Sequence, residues 1–277
     1  MFYEVIDIKV DGYNLTDSAK LYAYRLENTP QSDAEKKRPA IIIIPGGGYG
    51  HTSDRESEPV AMQYMAAGYH AFVLRYHCAP AQYPVQLLEL AKSVELIRSH
   101  AKEWYIDESR IILNGFSAGG HLAASLSVFW KESWLANECK TTSEQLRPNG
   151  CILSYPVITS KEFAHRGSFI NLLGNRYEEL VNEMSLEDCV NENTPPMFLW
   201  HTFADGSVPV ENSLLFVMAL RKNNIQTEFH MYPEGGHGLA LANSETQMSD
   251  GRGFQEECQN WITMAIRWVR NLGGMTC

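Results

Sequence analysis

Short apolar runs alternate with longer amphipathic segments through most of the chain. The run at 40–44 reads Ala-Ile-Ile-Ile-Ile and leads directly into Pro45 and three glycines. A continuous β-branched run of this kind indicates a strand that is buried on both faces. Similar patterns predict strands at 69–76, 110–114, 151–155, 197–202 and 227–231, and helices at 58–67, 85–102, 118–130, 212–222 and 256–270. Strands that alternate with helices predict a mostly parallel central sheet with helices on both faces.

The first part of the chain has a different pattern. Residues 3–10 alternate in part between apolar and polar side chains, and residues 20–26 form a second strand-like stretch. Two antiparallel N-terminal strands are therefore predicted before the parallel ones. Residues 163–193 interrupt the alternation of strands and helices. We expect residues 1–277 to form a single α/β domain, with a small cap or lid within 163–193 over the carboxyl edge of the sheet.

Composition and charge exclude several classes of protein. The 277 residues are 44% hydrophobic and 20% charged, which is typical of a globular protein with a sizeable core. The formal net charge is −10 at pH 7, whereas nucleic acids and anionic membranes require clustered Lys and Arg, so we expect neither as a partner. No apolar run reaches the roughly 18 residues that suggest a membrane span. Acidic residues within the first seven positions argue against a secretory signal.

The cysteine pattern bears on the cellular compartment. The chain has six cysteines and no C-x-x-C pair: Cys78, Cys139, Cys151, Cys189, Cys258 and Cys277. This spacing is typical of neither a zinc site nor a disulfide framework. We therefore expect reduced thiols in a cytoplasmic protein.

The motif Gly115-Phe116-Ser117-Ala118-Gly119 lies between a predicted strand and a predicted helix. This is the context of the G-x-S-x-G turn, in which the chain bends sharply enough to leave no room for a Cβ two residues on either side of the serine. Ser117 would then be exposed at the sheet edge as a nucleophile, at a helix N-terminus that favours negative charge. The alternative is a glycine-flanked turn with Ser117 as a helix cap.

The segment Pro45-Gly46-Gly47-Gly48-Tyr49-Gly50 follows the buried isoleucine strand. Consecutive glycines let the backbone come close to a ligand, and backbone N–H groups stabilise the oxyanion that forms in acyl transfer. We expect Gly47, Gly48 and Ala118 to supply these N–H groups. A phosphate-binding loop fits less well, because His51 stands where a third spaced glycine is needed and no Gly-Lys-Ser/Thr follows. A simple tight turn is the remaining alternative.

A serine nucleophile needs a histidine base and an acid that orients the base. Among nine histidines, His237 stands out because it lies in a glycine-rich loop between the last predicted strand and the last predicted helix. We interpret His121, one helical turn after Ser117, as a packing residue. Asp205 follows the strand at 197–202, which gives the order Ser, Asp, His along the chain that α/β-hydrolases use. Other candidates for the acid are Asp188, Glu211 and Glu234.

At these motifs the chain resembles α/β-hydrolase esterases of the hormone-sensitive-lipase branch, and it is most similar there to bacterial acetyl xylan esterase-like sugar esterases. The motifs are at 45–50 with Asp54-Arg55-Glu56, 115–123, 154–158, 200–210 and 233–238, and the likeness covers roughly residues 40–270. The resemblance implies a Ser117, Asp205 and His237 triad that hydrolyses short acyl esters, with acetylated oligosaccharides as substrates. Pro45 stands where lipases of that branch have a histidine, so the geometry of their oxyanion loop does not transfer directly.

Three functional hypotheses follow from these motifs. The first is an esterase that removes acetyl groups from small carbohydrates, such as acetylated xylo-oligosaccharides, through an acyl-enzyme and without a metal or cofactor. The second uses the same triad on amides, as a formamidase or short-peptide hydrolase. The third is an inactive binding protein with the hydrolase fold. Candidates for stacking on a sugar ring are Tyr49, Tyr155, Trp200 and Phe203, although core packing is the commoner role of aromatic residues. A homo-oligomer is compatible with the sequence.

Overall fold

The computed structural model describes residues 1–272 of the chain, and within them eight strands form one sheet. The strands are β1 (Phe2–Ile8), β2 (Ala19–Arg25), β3 (Arg38–Ile44), β4 (His70–Arg75), β5 (Ile106–Phe116), β6 (Gly150–Ser154), β7 (Met197–Thr202) and β8 (Thr227–Tyr232). Their order across the sheet is β1-β2-β4-β3-β5-β6-β7-β8. The pairs β1–β2 and β2–β4 are antiparallel, and all other pairs are parallel. The predicted α/β architecture is therefore confirmed.

Nine α-helices lie in the described residues, and the five longest are where the apolar patterns predict them, with shifted ends. They are α1 (Glu58–Ala66), α2 (Val85–Ser99), α3 (Ser117–Phe129), α4 (Ser133–Cys139), α5 (Ser143–Leu146), α6 (Arg166–Leu173), α7 (Tyr177–Leu180), α8 (Glu211–Lys222) and α9 (Trp261–Asn271). The last helix begins at Trp261 and not at 256, because residues 256–258 form a separate 3₁₀ turn. The short helices α4 to α7 were not predicted, since four to eight residues carry too little periodicity.

The isoleucine run in β3 shows how the sheet separates two apolar layers. Ile42 and Ile44 belong to the cluster that includes side chains of α2, α3 and α8, whereas Ile41 and Ile43 belong to the cluster that includes α1 and α9. Successive side chains of a strand point to opposite faces, so an unbroken apolar run covers both layers. Residues 40–44 are completely buried, as that pattern predicts.

Strand β5 is longer than predicted, because it begins at Ile106 and not at 110. Its pairing with β3 shifts register between the Arg38–Ile106 pair and the Ala40–Ile111 pair. The extra residues form a polar turn in which Asp107 accepts hydrogen bonds from the backbone N–H and the hydroxyl of Ser109. Because the first residues of β5 are mostly polar, the apolar pattern does not predict them as part of the strand.

The segment 163–193 folds into α6, α7 and short 3₁₀ turns. Its apolar side chains Phe169, Leu172, Leu173 and Leu180 join the same core cluster as α2 and α3. Asn171 in α6 also donates a hydrogen bond to the carbonyl oxygen of Gly48, at 2.9 Å. The segment is thus packed against the body of the protein and against the glycine turn after β3. Whether it opens as a lid stays a prediction.

Three further observations concern residues 1–272 as a whole. No helix in that range combines the length and the apolar character that crossing a membrane requires. Cys78, Cys139, Cys151, Cys189 and Cys258 are free thiols, whereas Cys277 lies outside the described residues. In the described part of the chain, no cluster of three His, Cys, Asp or Glu side chains is arranged to hold a metal ion.

Candidate active site

The carboxyl ends of the parallel strands β3, β5, β7 and β8 bring the predicted site residues to one edge of the sheet. The glycine turn at 46–48 follows β3, Ser117 follows β5, Asp205 follows β7 and His237 follows β8. Neighbouring parallel strands all end at the same edge, so loops that are far apart in sequence meet there.

Ser117 occupies the sharp turn between β5 and α3. Its φ is 52°, in the left-handed region that a residue with a side chain rarely adopts. The flanking glycines make this turn feasible. A Cβ on Gly115 would lie 2.4 Å from the carbonyl oxygen of Gly119, and a Cβ on Gly119 would lie 2.1 Å from that of Ile44. The backbone is therefore bent as the G-x-S-x-G motif requires, and the serine is not simply a helix cap.

Ser117, His237 and Asp205 form a continuous hydrogen-bond chain. Ser117 Oγ lies 2.7 Å from His237 Nε2, and His237 Nδ1 lies 2.7 Å from Asp205 Oδ2. The carboxylate can only accept, so Nδ1 carries the hydrogen and Nε2 is free to accept the serine proton. This is the tautomer that a general base needs.

Asp205 is held in its ionised form by its surroundings. Burial alone raises the pKa of its carboxyl group, but hydrogen bonds from His201 and His237 and the charge of His237 outweigh burial, so the pKa lies well below its ordinary value. Oδ1 also accepts the N–H groups of Ser207 and Val208, at 2.9 and 3.0 Å. The acid is therefore fixed in position and remains charged at neutral pH.

The structure brings none of the alternative acids to the imidazole. Asp188 is exposed and pairs with Lys161, Glu211 lies in the first turn of α8, and Glu234 is exposed. His121 packs in the interior, as predicted, with its ring nitrogens bonded to the Tyr49 hydroxyl and the Met184 carbonyl oxygen.

The glycine turn after β3 faces Ser117. Gly47 and Gly48 line the same cavity as Ser117, whereas Ala118 is buried as the second residue of α3. Gly47 has a φ of 127°, and a Cβ there would lie 2.2 Å from the carbonyl oxygen of His51, so only glycine fits. The N–H of Gly46 is already donated to Glu56 Oε2 at 2.8 Å. The donors left to face the cavity are therefore those of the following residues, and their role as an oxyanion hole stays a prediction.

Glu56 connects the glycine turn to the histidine loop. Its side chain is buried, and Oε1 accepts a hydrogen bond from the Tyr155 hydroxyl at 2.7 Å. That hydroxyl accepts the N–H of Ala240 at 2.8 Å, and the Tyr155 ring packs edge to face on His237 with centroids 5.1 Å apart. One carboxylate thus supports the turn that holds Gly47 and, through Tyr155, the imidazole. The sequence analysis did not select Glu56 as a site residue, because its partner Tyr155 lies 99 positions away.

Arg55, next to Glu56 in the chain, also contacts the loop that carries His237. It donates hydrogen bonds to the carbonyl oxygens of Gly238 and Thr246. The position of His237 is therefore set from three directions: by Asp205, by Tyr155 and by the Arg55 contact to the next residue in the chain.

The site opens into a cavity of about 390 Å³ whose lining is entirely polar or glycine. Besides Ser117, His237, Glu56 and glycines, the lining consists of His51, Ser53, Arg55, His165, Asn171 and Ser207. No aliphatic or aromatic hydrocarbon side chain belongs to this lining within the described residues. The polar side chains of this lining can offer hydrogen bonds to a polar ligand.

None of the four aromatic residues predicted to contact a sugar belongs to the lining of this cavity within the described residues. Tyr49, Tyr155 and Trp200 are at most 1% exposed. Trp200 stacks on Trp261 with centroids 5.2 Å apart, and its Nε1 donates to Ser154 Oγ. Phe203 is 68% exposed but is not part of the described cavity lining. The first three pack among core side chains, and contact of any of the four with a sugar stays a prediction.

Comparisons with known proteins place this site in a family. A family model described as BD-FAE matches residues 28–220. The chain is 40% identical over 214 residues to endo-1,4-beta-xylanase B of Butyrivibrio fibrisolvens, and 30% identical over 209 residues to an acetylxylan esterase of Xylanibacter ruminicola. These alignments include 76% and 73% of this chain but 34% and 41% of the relatives, so the chain spans well under half of their length.

A solved structure with similar extent is the acetyl ester-xyloside bifunctional hydrolase from Caldicellulosiruptor lactoaceticus. It is 37% identical to this chain, the alignment covers 98% of this chain and 96% of that one, and the TM-score is 0.83. The predicted α/β-hydrolase fold is thereby confirmed. Because the family model also matches more than half of the 277 residues, the chain belongs to the BD-FAE family.

Proposed function

We propose that this protein is a serine esterase that removes acetyl groups from small carbohydrate esters, such as acetylated xylo-oligosaccharides. The observation that carries the proposal is the relay of two 2.7 Å contacts from Ser117 through His237 to Asp205, next to the glycine turn at 46–48. The names of the xylanase, the acetylxylan esterase and the acetyl ester-xyloside hydrolase support the acetyl and carbohydrate parts of the proposal.

The chemistry follows from the tautomer that the relay imposes. His237 Nε2 takes the proton of Ser117 as Oγ attacks the ester carbonyl, and the N–H groups of Gly47, Gly48 and Ala118 stabilise the oxyanion. The imidazolium then gives its proton to the leaving alcohol oxygen, which leaves an acetyl-serine. Water, activated by the same imidazole, releases acetate and restores the hydroxyl. Asp205 stabilises the imidazolium throughout.

The lining of the cavity supports a polar substrate. The polar side chains of Arg55, Glu56, His165 and Asn171 line the cavity, and a long acyl chain would need an apolar channel instead. An acetyl group is small enough to need no such channel, whereas the hydroxyls of a sugar can bond to these side chains.

The direct test compares the protein with its Ser117→Ala variant on 4-nitrophenyl acetate and on acetylated xylo-oligosaccharides. We expect acetate release from both by the unchanged protein, and a loss of at least 10³-fold in kcat/KM in the variant with an unchanged Tm. Labelling of the unchanged protein by a fluorophosphonate, absent in the variant, would separate an enzyme from an inactive hydrolase-fold protein.

The amide hypothesis is the main competitor, and the same assay decides it. Aryl formamides and dipeptides are tested at equal concentration beside the acetyl esters. A higher kcat/KM on the amides would overturn the ester proposal while leaving the triad in place. Activity retained by Ser117→Ala on every substrate would overturn the triad itself.

Four wider expectations belong to this proposal. The five free thiols of the described residues support a reducing, cytoplasmic environment. The net charge of −10 supports the expectation that nucleic acid is not a partner. A single domain with a small cap at 163–193, and assembly into a homo-oligomer, complete the proposal and are tested by limited proteolysis and light scattering.

A further inference from the structure

A second imidazole faces the cavity from the segment before α6. His165 lies among the lining residues together with Ser117 and His237. It is close to the glycine turn, since a Cβ placed on Gly48 would lie 3.9 Å from His165 Cε1. The relay does not use His165, and neither the chain order nor the motifs pointed to it.

The ring of His165 is held by its own helix. Nδ1 lies 2.8 Å from the hydroxyl of Ser168, and the Ser168 N–H donates to the His165 carbonyl oxygen at 3.0 Å. Ser168 is fully buried, so it provides a rigid support. Within residues 1–272, Nε2 has no hydrogen-bond partner in the protein. The ring is therefore fixed in orientation and has one nitrogen free.

The surroundings favour the neutral form of this ring. Burial, and then the charge of His237, lower the pKa of His165, while Asp205 opposes them in part. A neutral imidazole can form a hydrogen bond with an uncharged hydroxyl, either as donor or as acceptor. It also avoids a second positive charge beside the imidazolium that forms during the reaction.

The second support comes from Asn171, one turn further along α6. Its amide donates to the carbonyl oxygen of Gly48 and ties the later part of α6 to the glycine turn. His165 is thus held at a set position relative to the place where the ester carbonyl would bind. An acetyl group has no hydroxyl, so any hydroxyl that His165 contacts must belong to the alcohol part of the ester.

We propose that His165 is a specificity-determining residue whose free Nε2 bonds to a hydroxyl on the alcohol part of the substrate, close to the ester. This inference rests on the proposed acetyl esterase function and adds the group that selects hydroxylated esters. It does not assign His165 a proton-transfer role.

The test uses two esters of nearly equal size, 2-hydroxyethyl acetate and propyl acetate, which differ by a hydroxyl in place of a methyl group. We expect the unchanged protein to prefer the hydroxylated ester. In His165→Phe, which keeps a ring of similar volume, that preference in kcat/KM should fall by about tenfold, as for one lost hydrogen bond of roughly 1.4 kcal/mol. His165→Gln, which keeps a polar donor and acceptor, should recover part of it.

A matched control is His230→Phe, because His230 lies on β8 and pairs with Glu228 outside the cavity. Tm measurements on all variants check that they are folded. Equal losses on both esters in His165→Phe, or an unchanged preference, would overturn the role of His165 and leave the esterase function standing. Failure of the unchanged protein to cleave either acetate would instead refute the proposed function, and this inference with it.

Discussion

At the scale of single residues, Glu56 is a buried acid that connects two parts of the site. Its buried carboxylate accepts one hydrogen bond from the Gly46 N–H and one from the Tyr155 hydroxyl. Both donors are fixed in position. Gly46 belongs to the glycine turn, and the Tyr155 hydroxyl also accepts a hydrogen bond from the Ala240 N–H. Glu56 therefore positions catalytic groups without contacting the reacting atoms itself.

We predict that Glu56→Gln lowers kcat by about tenfold or more with little change in KM. The amide of Gln can accept only through its oxygen, so either the Gly46 N–H or the Tyr155 hydroxyl loses its acceptor, at a cost of about 1–3 kcal/mol. The measurement is steady-state kinetics on 4-nitrophenyl acetate well below the Tm of the variant. Glu58→Gln is the control, since Glu58 is exposed at the start of α1.

Two outcomes would contradict this positioning role. One is equal kcat in the two variants. The other is a rise in KM alone. That pattern indicates weaker binding of the substrate in its ground state, whereas a displaced glycine turn or imidazole would lower kcat.

At the scale of secondary structure, the crossing of α3 over the end of β3 requires Gly119. A Cβ there would lie 2.1 Å from the Ile44 carbonyl oxygen and 2.4 Å from that of Pro45. Both are backbone atoms of a buried central strand and its exit, so they cannot move aside cheaply. The sharp turn at Ser117 thus depends on a small residue two positions further along.

We predict that Gly119→Ala destabilises the protein by about 3 kcal/mol or prevents folding, since overpacking against rigid backbone is costly. Gly206→Ala is the matched control, because nothing lies within 4 Å of a Cβ at that position. Urea unfolding of both variants gives the free energies. Similar stability of the two variants would show that α3 moves away from β3 more easily than the close contact suggests.

The elements also show what the sequence could predict. Strand and helix positions follow from apolar runs that act locally, so the order of elements and the three relay residues could be read from pattern and motif. The supporting partners could not, because Glu56 and Tyr155 are separated by 99 positions and meet only after the sheet forms. The burial of Trp200 could not be predicted for a related reason: proximity to a motif in the sequence does not reveal which face of a strand a side chain takes.

At the scale of the whole molecule, His121 connects three parts of the chain that are distant in sequence. Its ring in α3 bonds to the Tyr49 hydroxyl of the glycine turn and to the Met184 carbonyl oxygen of the segment 163–193. The carbonyl can only accept, so Nε2 carries the hydrogen and Nδ1 accepts from Tyr49. A proton on Nδ1 would reverse the bond with Tyr49, so that the hydroxyl would have to accept, and it would place a charge in the interior. Burial accordingly lowers the pKa of His121 to about 4.

This pKa makes the stability of the fold depend on pH. In the unfolded chain the pKa of His121 is near its ordinary 6.5, so between pH 6.5 and 4 the unfolded state binds the proton and the folded state does not. The free energy of unfolding must then decrease as the pH falls through that window.

We predict that the free energy of unfolding decreases by about 2 kcal/mol between pH 7 and pH 5 because of His121. Urea unfolding of the protein and of His121→Gln at both values isolates the effect, because Gln does not titrate and every other group is shared. The difference between pH 7 and pH 5 should be smaller in the variant by that amount. An identical pH dependence would mean that His121 is protonated in the folded protein, and that the contacts among the glycine turn, α3 and the segment 163–193 rearrange to accept the charge.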